Sequence, residues 1–250
     1  MNQIIILAGG KGTRMQSDKP KVLHQVNGVP IIQRVLQNVE SLFEQPVIII
    51  GYKGEEVIST LGNGYCYIQQ PEQLGTGHAT WCAKKVLAKN RHENIVVTSG
   101  DQPLISAKTL KKLMDLRLQE KAKISLATVS VPHFEEDFRS FYNFGRIIRS
   151  SNGEVKGIVE LKDADKEQKK IREVNTSYYC FDTDWLWENI EKLNNKNAAQ
   201  EYYLTDMVKI AFEQGEKIAS FVIENAYEGL GINDRQQLAV AENYCKTNVL

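Results

Sequence analysis

The stretch that decides the fold is residues 4–23, IIILAGGKGTRMQSDKPKVL. Its short apolar start, 4–8, is rich in β-branched residues and closed by glycines, which predicts a fully buried strand of a parallel sheet. The loop that follows holds three glycines, three lysines and one arginine. Glycines let backbone N–H groups wrap an anion, and cations add charge where phosphate oxygens would lie. The stretch therefore predicts a nucleotide site at the carboxyl end of the first strand, with a mobile basic turn as the alternative.

Two well-known phosphate loops do not match this stretch. A Walker A loop has four residues between its first glycine and a Gly-Lys-Ser/Thr ending, whereas here Gly12 is followed by Thr13 and Arg14. The dinucleotide fingerprint Gly-x-Gly-x-x-Gly fails at its last position, which is Met15. The sequence therefore argues against a P-loop kinase and against a typical Rossmann dehydrogenase.

Composition narrows the class of protein further. The 250 residues include 31 Lys plus Arg and 31 Asp plus Glu, so no net charge directs the chain to nucleic acid or to an acidic membrane. Four cysteines without Cys-x-x-Cys spacing indicate free thiols in a reducing compartment. The first apolar run is too short to span a bilayer and lacks a basic n-region. We expect a cytoplasmic protein that binds small molecules, and the sequence does not indicate its oligomeric state.

The first half of the chain alternates predicted strands and helices. Strands are predicted at 46–51, 65–69, 94–99 and 123–131, and helices at 31–39, 76–87 and 106–120. Such alternation indicates right-handed βαβ units. The fold class that we predict is α/β, a Rossmann-like, mostly parallel sheet flanked by helices, with ligands at the carboxyl ends of the strands.

The pattern changes after Val131. Segments 145–149 and 154–160 flank Ser-Asn-Gly, which predicts a hairpin. Further predictions are a strand at 173–181, a helix capped by Asp182 or Thr183 that runs to Leu193, a helix whose first residues are 201–206, a strand at 217–223, and a terminal helix that 231–235 introduces and that ends at about 246. Because no Pro/Gly-rich linker separates the halves, we expect a single domain, 1–250.

Three polar motifs carry candidate chemistry. In 70–79, QPEQLGTGHA, glycines beside a helix start and glutamine amides suit a flat base, although a Gly-Thr-Gly turn is also an ordinary cap. Asp101, at the end of a central strand and after a glycine, is a candidate Mg²⁺ ligand beside a triphosphate, or a cap of the helix that begins near Ser106. Asn233, taken alone, is an ordinary helix N-cap.

The segment LAGGKGTRM followed by KPKVL resembles the signature of the sugar-phosphate nucleotidyltransferases. Within that family it is most similar to the uridyltransferases that make UDP-N-acetylglucosamine. Residues 70–79 resemble their uracil-recognition segment, 100–104 their Gly-Asp-x-Pro-Leu motif, and 231–235 their Gly-Val-Asn-x-Arg segment. The similar segments run from residue 4 to about 240 in family order.

The resemblance implies a role for each matching residue. It implies catalysis by Arg14 and Lys21, a Mg²⁺ cofactor on Asp101 and Asn233, sugar binding by Gly145, Glu160 and Asn175, and nucleotide binding by Leu7, Ala8, Gly9, Gly10, Gly12, Thr13, Gln70, Gly75, Thr76 and Gly100. It also implies a nucleotide-binding half, 1–131, and a sugar-binding half, 132–250, with a β-rich insertion. Without the resemblance, Gly145 is a turn residue, Glu160 a solvated strand edge and Asn175 a bulge.

The chain departs from the family pattern at several positions. Gly9 replaces an alanine, and Ser177 replaces the usual glycine after Asn-Thr. Ser99 stands where members often have tyrosine, and Gln102 where they often have valine or threonine. These departures place the identity of the sugar in question.

The function that the resemblance implies is Mg²⁺-dependent transfer of UMP from UTP to N-acetylglucosamine 1-phosphate, with release of pyrophosphate. The alternatives are another sugar 1-phosphate, a cytidylyl- or thymidylyltransferase, or a non-catalytic sensor of nucleotide sugars. Bifunctional family members carry a left-handed β-helix acetyltransferase domain of hexapeptide repeats. This sequence contains no such repeat, so we expect no acetyl transfer.

Overall fold

The computed structural model describes residues 2–89 and 92–248. Its strands are β1 Asn2–Ala8, β2 Gln25–Val26, β3 Val29–Pro30, β4 Val47–Ile50, β5 Cys66–Gln69, β6 Asn94–Ser99, β7 Ile124–Ser130, β8 Arg146–Arg149, β9 Val155–Val159, β10 Glu173–Asp182 and β11 Ile218–Val222. Its α-helices are α1 Ile31–Val39, α2 Gly54–Leu61, α3 Thr76–Cys82, α4 Lys84–Leu87, α5 Ala107–Glu120, α6 Thr183–Asn189, α7 Asp206–Glu213 and α8 Arg235–Thr247.

Nine of the described strands form one mixed sheet in the order β11-β7-β10-β6-β1-β4-β5, with β8 and β9 attached at β10. β1 pairs in parallel with both β4 and β6, as the alternating pattern predicts. β10 is antiparallel to both β6 and β7, so a strand from the second half lies between two strands of the first. The α/β fold with a mostly parallel sheet is therefore confirmed. The separate roles of the two halves stay a prediction.

The apolar runs are buried on both faces of the sheet. Alternate residues of β1 belong to different clusters: Ile4 and Ile6 pack on one face and Ile5 on the other, all three with no exposed surface. The amphipathic helix α1 covers the first face with Ile31, Ile32, Val35, Leu36 and Val39. Burial on two faces is the reason that β1 is continuously apolar and does not alternate with polar residues.

Two predicted helices differ from the structure. The segment 76–87 divides into α3 and α4 because the Thr80 hydroxyl donates to the Thr76 carbonyl at 3.0 Å and the Ala83 N–H turns to the Thr80 carbonyl. The helix expected to open within 201–206 begins only at Asp206. The backbone before it is held extended, since the Tyr202 N–H donates to the Leu74 carbonyl at 2.8 Å. No helix among the described residues is long and apolar enough to cross a membrane.

The observed helix caps test the prediction that Asp101 and Asn233 are themselves caps of helices. The Ser106 hydroxyl caps α5 by accepting from the Thr109 N–H, so Asp101 is not that cap. The Asp234 carboxylate caps α8 by accepting from the Gln237 N–H, so the prediction of Asn233 as an N-cap is wrong. Neither Asp101 nor Asn233 caps a helix, so the side chains of both residues can take part in other contacts.

One buried cation holds the β8–β9 hairpin to the rest of the fold. Arg146 has no exposed surface, and its guanidinium donates to the Phe144 carbonyl, to the Tyr142 carbonyl at 2.9 Å and to the Lys169 carbonyl at 3.4 Å. It also lies over the Phe134 ring at 4.7 Å. Among the cationic side chains, only the planar guanidinium of arginine can donate hydrogen bonds to several carbonyls and stack on an aromatic ring at the same time.

We expect Arg146→Lys to destabilise the protein by about 2–4 kcal/mol, because an ammonium group leaves buried carbonyls without donors and loses the stacking. Urea unfolding of the variant measures the loss. Arg139→Lys, a substitution at an exposed position nearby in the chain, is the control and should stay close to wild type. Equal stabilities of the two variants would show that the Arg146 fork contributes nothing.

Candidate active site

Two adjacent cavities open at the carboxyl ends of β1 and β6. The loop cavity, about 380 Å³, is lined mainly by the glycine-rich loop after β1 and by the segment before α3. The hairpin cavity, about 430 Å³, is lined by the β8–β9 hairpin, the middle of β10 and the segment before α7. They share six residues: Leu7, Lys21, Thr76, Ser99, Asp101 and Glu201. A ligand with two chemically different ends could occupy both cavities at once.

The glycine-rich loop keeps its shape through close backbone approaches. Gly12 has a φ of 63°, and a Cβ on it would lie 2.6 Å from the Lys21 Cβ. A Cβ on Gly9 would lie 2.9 Å from the Gln70 Oε1. Gly9, where the family has alanine, therefore lets the Gln70 amide approach the loop backbone. Met15, 1% exposed, fixes the far end of the loop in the core.

The opposite wall of the loop cavity presents an amide group. Gln70 is 4% exposed, and its Nε2 donates to the Gly75 carbonyl at 3.1 Å and lies 3.2 Å from the His78 Nδ1. An amide nitrogen only donates, so Nδ1 accepts and the neutral imidazole carries its hydrogen on Nε2. Gly75 has a φ of 105°, and a Cβ there would meet the Tyr202 carbonyl at 2.6 Å. Only glycine fits this position, and the amide is held with its oxygen towards the loop.

A cation-binding point lies where the two cavities meet. The Lys21 ammonium group contacts the Asp101 carboxylate and lies 2.8 Å from the Asn233 Oδ1. The Ile232 N–H donates to the Asp101 carbonyl at 2.9 Å, which holds the segment of Asn233 against Asp101. The Asn233 N–H donates to the Gln237 Oε1 at 2.7 Å, which ties the same segment to α8. Residues 21, 101 and 233 are thus assembled from three distant parts of the chain.

The residues at this point fit a magnesium ion. The carboxylate oxygen of Asp101 and the amide oxygen of Asn233 converge on one position, which the Lys21 ammonium group now occupies as a cation. Hard oxygen donors are what Mg²⁺ prefers, and it commonly takes only one or two protein ligands, with phosphates and water completing the shell. No group of three or more His, Cys, Asp or Glu suited to a metal is found in residues 2–89 and 92–248. An ion at this point would therefore depend on a bound phosphate for further ligands.

The hairpin cavity brings together Gly145, Glu160 and Asn175. A Cβ on Gly145 would lie 2.9 Å from the Ile158 Cγ2 and 3.3 Å from the Glu160 Oε1, so close packing, and not a turn, requires this glycine. The Asn175 N–H donates to the Gly145 carbonyl at 2.9 Å, and its side-chain Oδ1 accepts from the Tyr179 hydroxyl at 2.8 Å. Asn175 also opens a bulge in β10, so its bulge reading is confirmed beside its place in the cavity.

Glu160 is an acid held in an unfavourable environment for its charge. The pKa of this carboxyl is raised from 4.5 to about 7, mainly by burial and in part by the nearby acids Asp206, Asp163 and Glu201, while a hydrogen bond from the Thr205 hydroxyl at 3.3 Å acts in the opposite direction. The reading of Glu160 as a solvated strand edge is therefore wrong. Near neutral pH its carboxyl can either accept or donate a hydrogen bond to a polar ligand.

The cavities contain nearly all the residues that the sequence pointed to. The predicted nucleotide-binding residues 7–10, 12, 13, 70, 75 and 76 line the loop cavity, and Arg14, Asn233, Gly145, Glu160 and Asn175 line the hairpin cavity. Gly100 lines neither cavity, because its N–H donates to the Leu7 carbonyl at 2.8 Å and it packs against β1. The sequence predictions missed Glu201, Tyr203 and Thr205. The signal for them in the sequence is segment 197–206, NAAQEYYLTD, which resembles the family segment Asn-Ala-Gln-Gly-Glu-Tyr-Tyr-Leu-Thr-Asp but does not by itself assign a role to any residue.

Comparisons with known proteins identify the family of this chain. The model of the MobA-like NTP transferase domain matches residues 4–202. The bifunctional protein GlmU of Streptococcus thermophilus is 42% identical over 99% of this chain and 52% of its own length. The bifunctional protein GlmU of Shouchella clausii is 42% identical over 95% of this chain and 51% of its own length. The chain thus spans about half the length of the curated relatives it matches.

A solved structure shares the fold. The crystal structure of a UDP-glucose pyrophosphorylase complexed with UDP-glucose superposes with a TM-score of 0.75 over 99% of both chains, at 19% sequence identity. At this identity the likeness shows the fold alone. Since the family model covers most of the sequence, the chain belongs to the MobA-like NTP transferase family and is a nucleotidyltransferase.

Proposed function

We propose that this chain transfers UMP from UTP to N-acetylglucosamine 1-phosphate and releases pyrophosphate. The observation that carries the proposal is the cation-binding point of Asp101 and Asn233, which lies where the loop cavity and the hairpin cavity meet. A reaction that joins a nucleotide to a sugar phosphate needs its reacting phosphates at such a junction. The names of the relatives, GlmU and UDP-glucose pyrophosphorylase, favour a sugar-phosphate substrate.

The loop cavity suits the nucleotide. Backbone N–H groups of the glycine-rich loop can donate to phosphate oxygens, and Lys11, Arg14 and Lys21 line the two cavities close to that loop. The Gln70 amide nitrogen is engaged by the Gly75 carbonyl and the His78 Nδ1, so its oxygen is the acceptor that it offers to the edge of a pyrimidine base.

The hairpin cavity suits an uncharged, hydroxyl-rich ring. It holds the Glu160 carboxyl, the Asn175 amide and the Thr205 hydroxyl, which provide directional acceptors and donors. Gly145 allows Glu160 and Ile158 to pack closely against this wall of the cavity. The acids around this cavity repel a phosphate, so the phosphate end of the sugar phosphate is directed towards the cation-binding point.

In the proposed reaction, an oxygen of the sugar phosphate attacks the α-phosphorus of UTP in line. A new P–O bond forms, the bond from the α-phosphorus to the oxygen bridging it to the β-phosphate breaks, and pyrophosphate leaves with the bonding electron pair. Arg14 and Lys21 would orient the triphosphate and neutralise the charge that develops on the leaving group. Asp101 and Asn233 would hold Mg²⁺, which when bound supplies charge neutralisation between the two phosphates. No covalent intermediate on the protein is needed.

The proposed activity is tested by measuring pyrophosphate release with Mg²⁺, UTP and a panel of glucose, N-acetylglucosamine and N-acetylgalactosamine 1-phosphates. CTP and dTTP are then tested in place of UTP. We expect turnover with UTP and N-acetylglucosamine 1-phosphate, and loss of turnover with EDTA. Turnover confined to another sugar would contradict the substrate and move specificity to Ser99, Gln102 and Ser177. Tight UTP binding without any turnover would favour the sensor.

Arg14→Ala and Lys21→Ala should each lower kcat by roughly 100- to 1000-fold, because each removes a cation that neutralises the leaving group. Steady-state pyrophosphate release measures the effect, and thermal unfolding checks that the fold is retained. Lys111→Ala removes an exposed lysine paired with Asp115 on α5 and is the matched control, with near-normal kcat expected. A near-normal rate in either site variant would exclude that residue from catalysis.

Glu160→Gln should remove a pH dependence of stability. The pKa of this carboxyl is raised from 4.5 to about 7, so the folded state binds more protons than the unfolded state between these values. Wild type therefore loses stability as the pH rises through this window, on the order of 1–2 kcal/mol, relative to the uncharged variant.

The measurement is urea unfolding of both proteins at a series of pH values. Glu167→Gln, a substitution of an exposed glutamate, is the control and should follow wild type. Parallel curves for wild type and Glu160→Gln would show that burial of Glu160 does not shift its titration.

A further inference from the structure

Gln102 connects three segments of the site through one buried amide. The residue is 3% exposed, follows Asp101 directly, and its Nε2 donates to the Thr176 carbonyl at 2.6 Å and to the Gly229 carbonyl at 3.2 Å. Its Oε1 is buried without a partner in the described chain. Because both partners are acceptors, the orientation of the amide is fixed.

The first of these bonds holds a bulge in β10. The pairing of β10 with β7 passes from Asn175–Thr128 to Tyr178–Ala127, so Thr176 and Ser177 are two extra residues. The Thr176 hydroxyl donates to the Ala127 carbonyl at 2.7 Å and takes the place of a ladder bond. The Thr176 carbonyl accepts a hydrogen bond from the Gln102 side chain. The bulge carries Asn175, whose side chain lines the hairpin cavity.

Ser177 adopts a strained backbone within this bulge. Its φ is 62°, in the left-handed region, where a serine costs more than a glycine. The Ser177 N–H donates to the Asn175 Oδ1 at 3.0 Å, so the strained conformation is what turns Asn175 towards its partners. The resemblance noted above places glycine at this position in the family. A serine at position 177 therefore requires an additional interaction that stabilises this backbone conformation, whereas a glycine would not require one.

We propose that Gln102 is a positioning residue that holds Ser177 in the left-handed conformation and thereby places Asn175 for the sugar phosphate. The two departures from the family pattern at 102 and 177 are then one coupled pair: the donor at 102 compensates the strain that the serine at 177 introduces. The second bond of Gln102, to Gly229, extends the same hold to the segment that leads to Asn233. The consequence for sugar binding rests on the proposed function, whereas the coupling itself does not.

A double-mutant cycle of Gln102→Met and Ser177→Gly tests the coupling. Methionine has similar length and no donor, and glycine at 177 removes the strain. We expect Gln102→Met to raise the KM for the sugar 1-phosphate roughly tenfold while the KM for UTP stays within about threefold. In the Ser177→Gly background, the same Gln102→Met substitution should raise the KM for the sugar 1-phosphate by less than about threefold.

The same cycle is run without substrate by thermal unfolding. Gln102→Met should lower the Tm by roughly 4–8 °C in the wild-type background and by about half as much in the Ser177→Gly background. Gln102→Val, the residue type found in the family, replaces the methionine variant if that protein does not fold. Lys121→Gly, at an exposed position with a φ of 49° at the end of α5, is the matched control, and its effect should add to that of Gln102→Met.

The outcomes separate the two proposals. Coupling between 102 and 177 in the unfolding cycle supports the hold whatever substrate the protein uses. Additive effects in the unfolding cycle overturn it. Coupling in unfolding but equal KM changes in both backgrounds overturns the role in sugar binding alone. If wild type turns over no sugar 1-phosphate, the proposed function fails and the unfolding cycle alone decides whether Gln102 holds Ser177.

Discussion

The contact of the Lys21 ammonium group with the oxygens of Asp101 and Asn233 is the constraint on which the site depends. The three residues come from the loop after β1, the end of β6 and the segment before α8. They meet only because β1 and β6 are parallel neighbours whose carboxyl ends lie at one edge of the sheet. Within the part of the chain that the structure describes, both cavities open at this edge and share Lys21 and Asp101. The register of the sheet therefore determines whether the chemistry is assembled.

Much of the fold could be predicted because burial on two faces leaves a simple pattern. β1, β4 and β6 each contain a short, continuous apolar run, and their bounds agree with the prediction to within two residues. The antiparallel insertion of β10 between β6 and β7 could not be predicted, because a buried strand has the same composition in either direction. The sequence indicates a bulge at Asn175 only as one interpretation of that residue, because the extra residues become visible only in the pairing of β10 with β7.

The candidate site, like the fold, could be predicted from the sequence only in part. The glycine-rich loop could be predicted from residues alone, because close backbone approaches such as that of Gly12 to Lys21 require glycine. The roles at Gly145, Glu160 and Asn175 came from resemblance, since a single carboxylate or amide has many ordinary uses in a fold. Glu201, Tyr203 and Thr205 were missed because the segment before α7 has a helix-like composition. It is held extended by backbone bonds to Leu74 and Gly77, which the sequence does not show.

The distribution of charge gives the site a direction although the chain has no net charge. Lys11 and Lys21 line the loop cavity, whereas Glu160 lines the hairpin cavity and not the loop cavity, with Asp163 and Asp206 near its carboxyl. Glu201 lines both cavities. Phosphates are attracted to one end and repelled from the other, so a ligand with a charged end and a neutral end enters in one orientation. The raised pKa of Glu160 limits the repulsion near neutral pH, because part of that carboxyl is then protonated. The same burial that costs stability therefore makes the hairpin cavity suited to a neutral, hydroxyl-rich group.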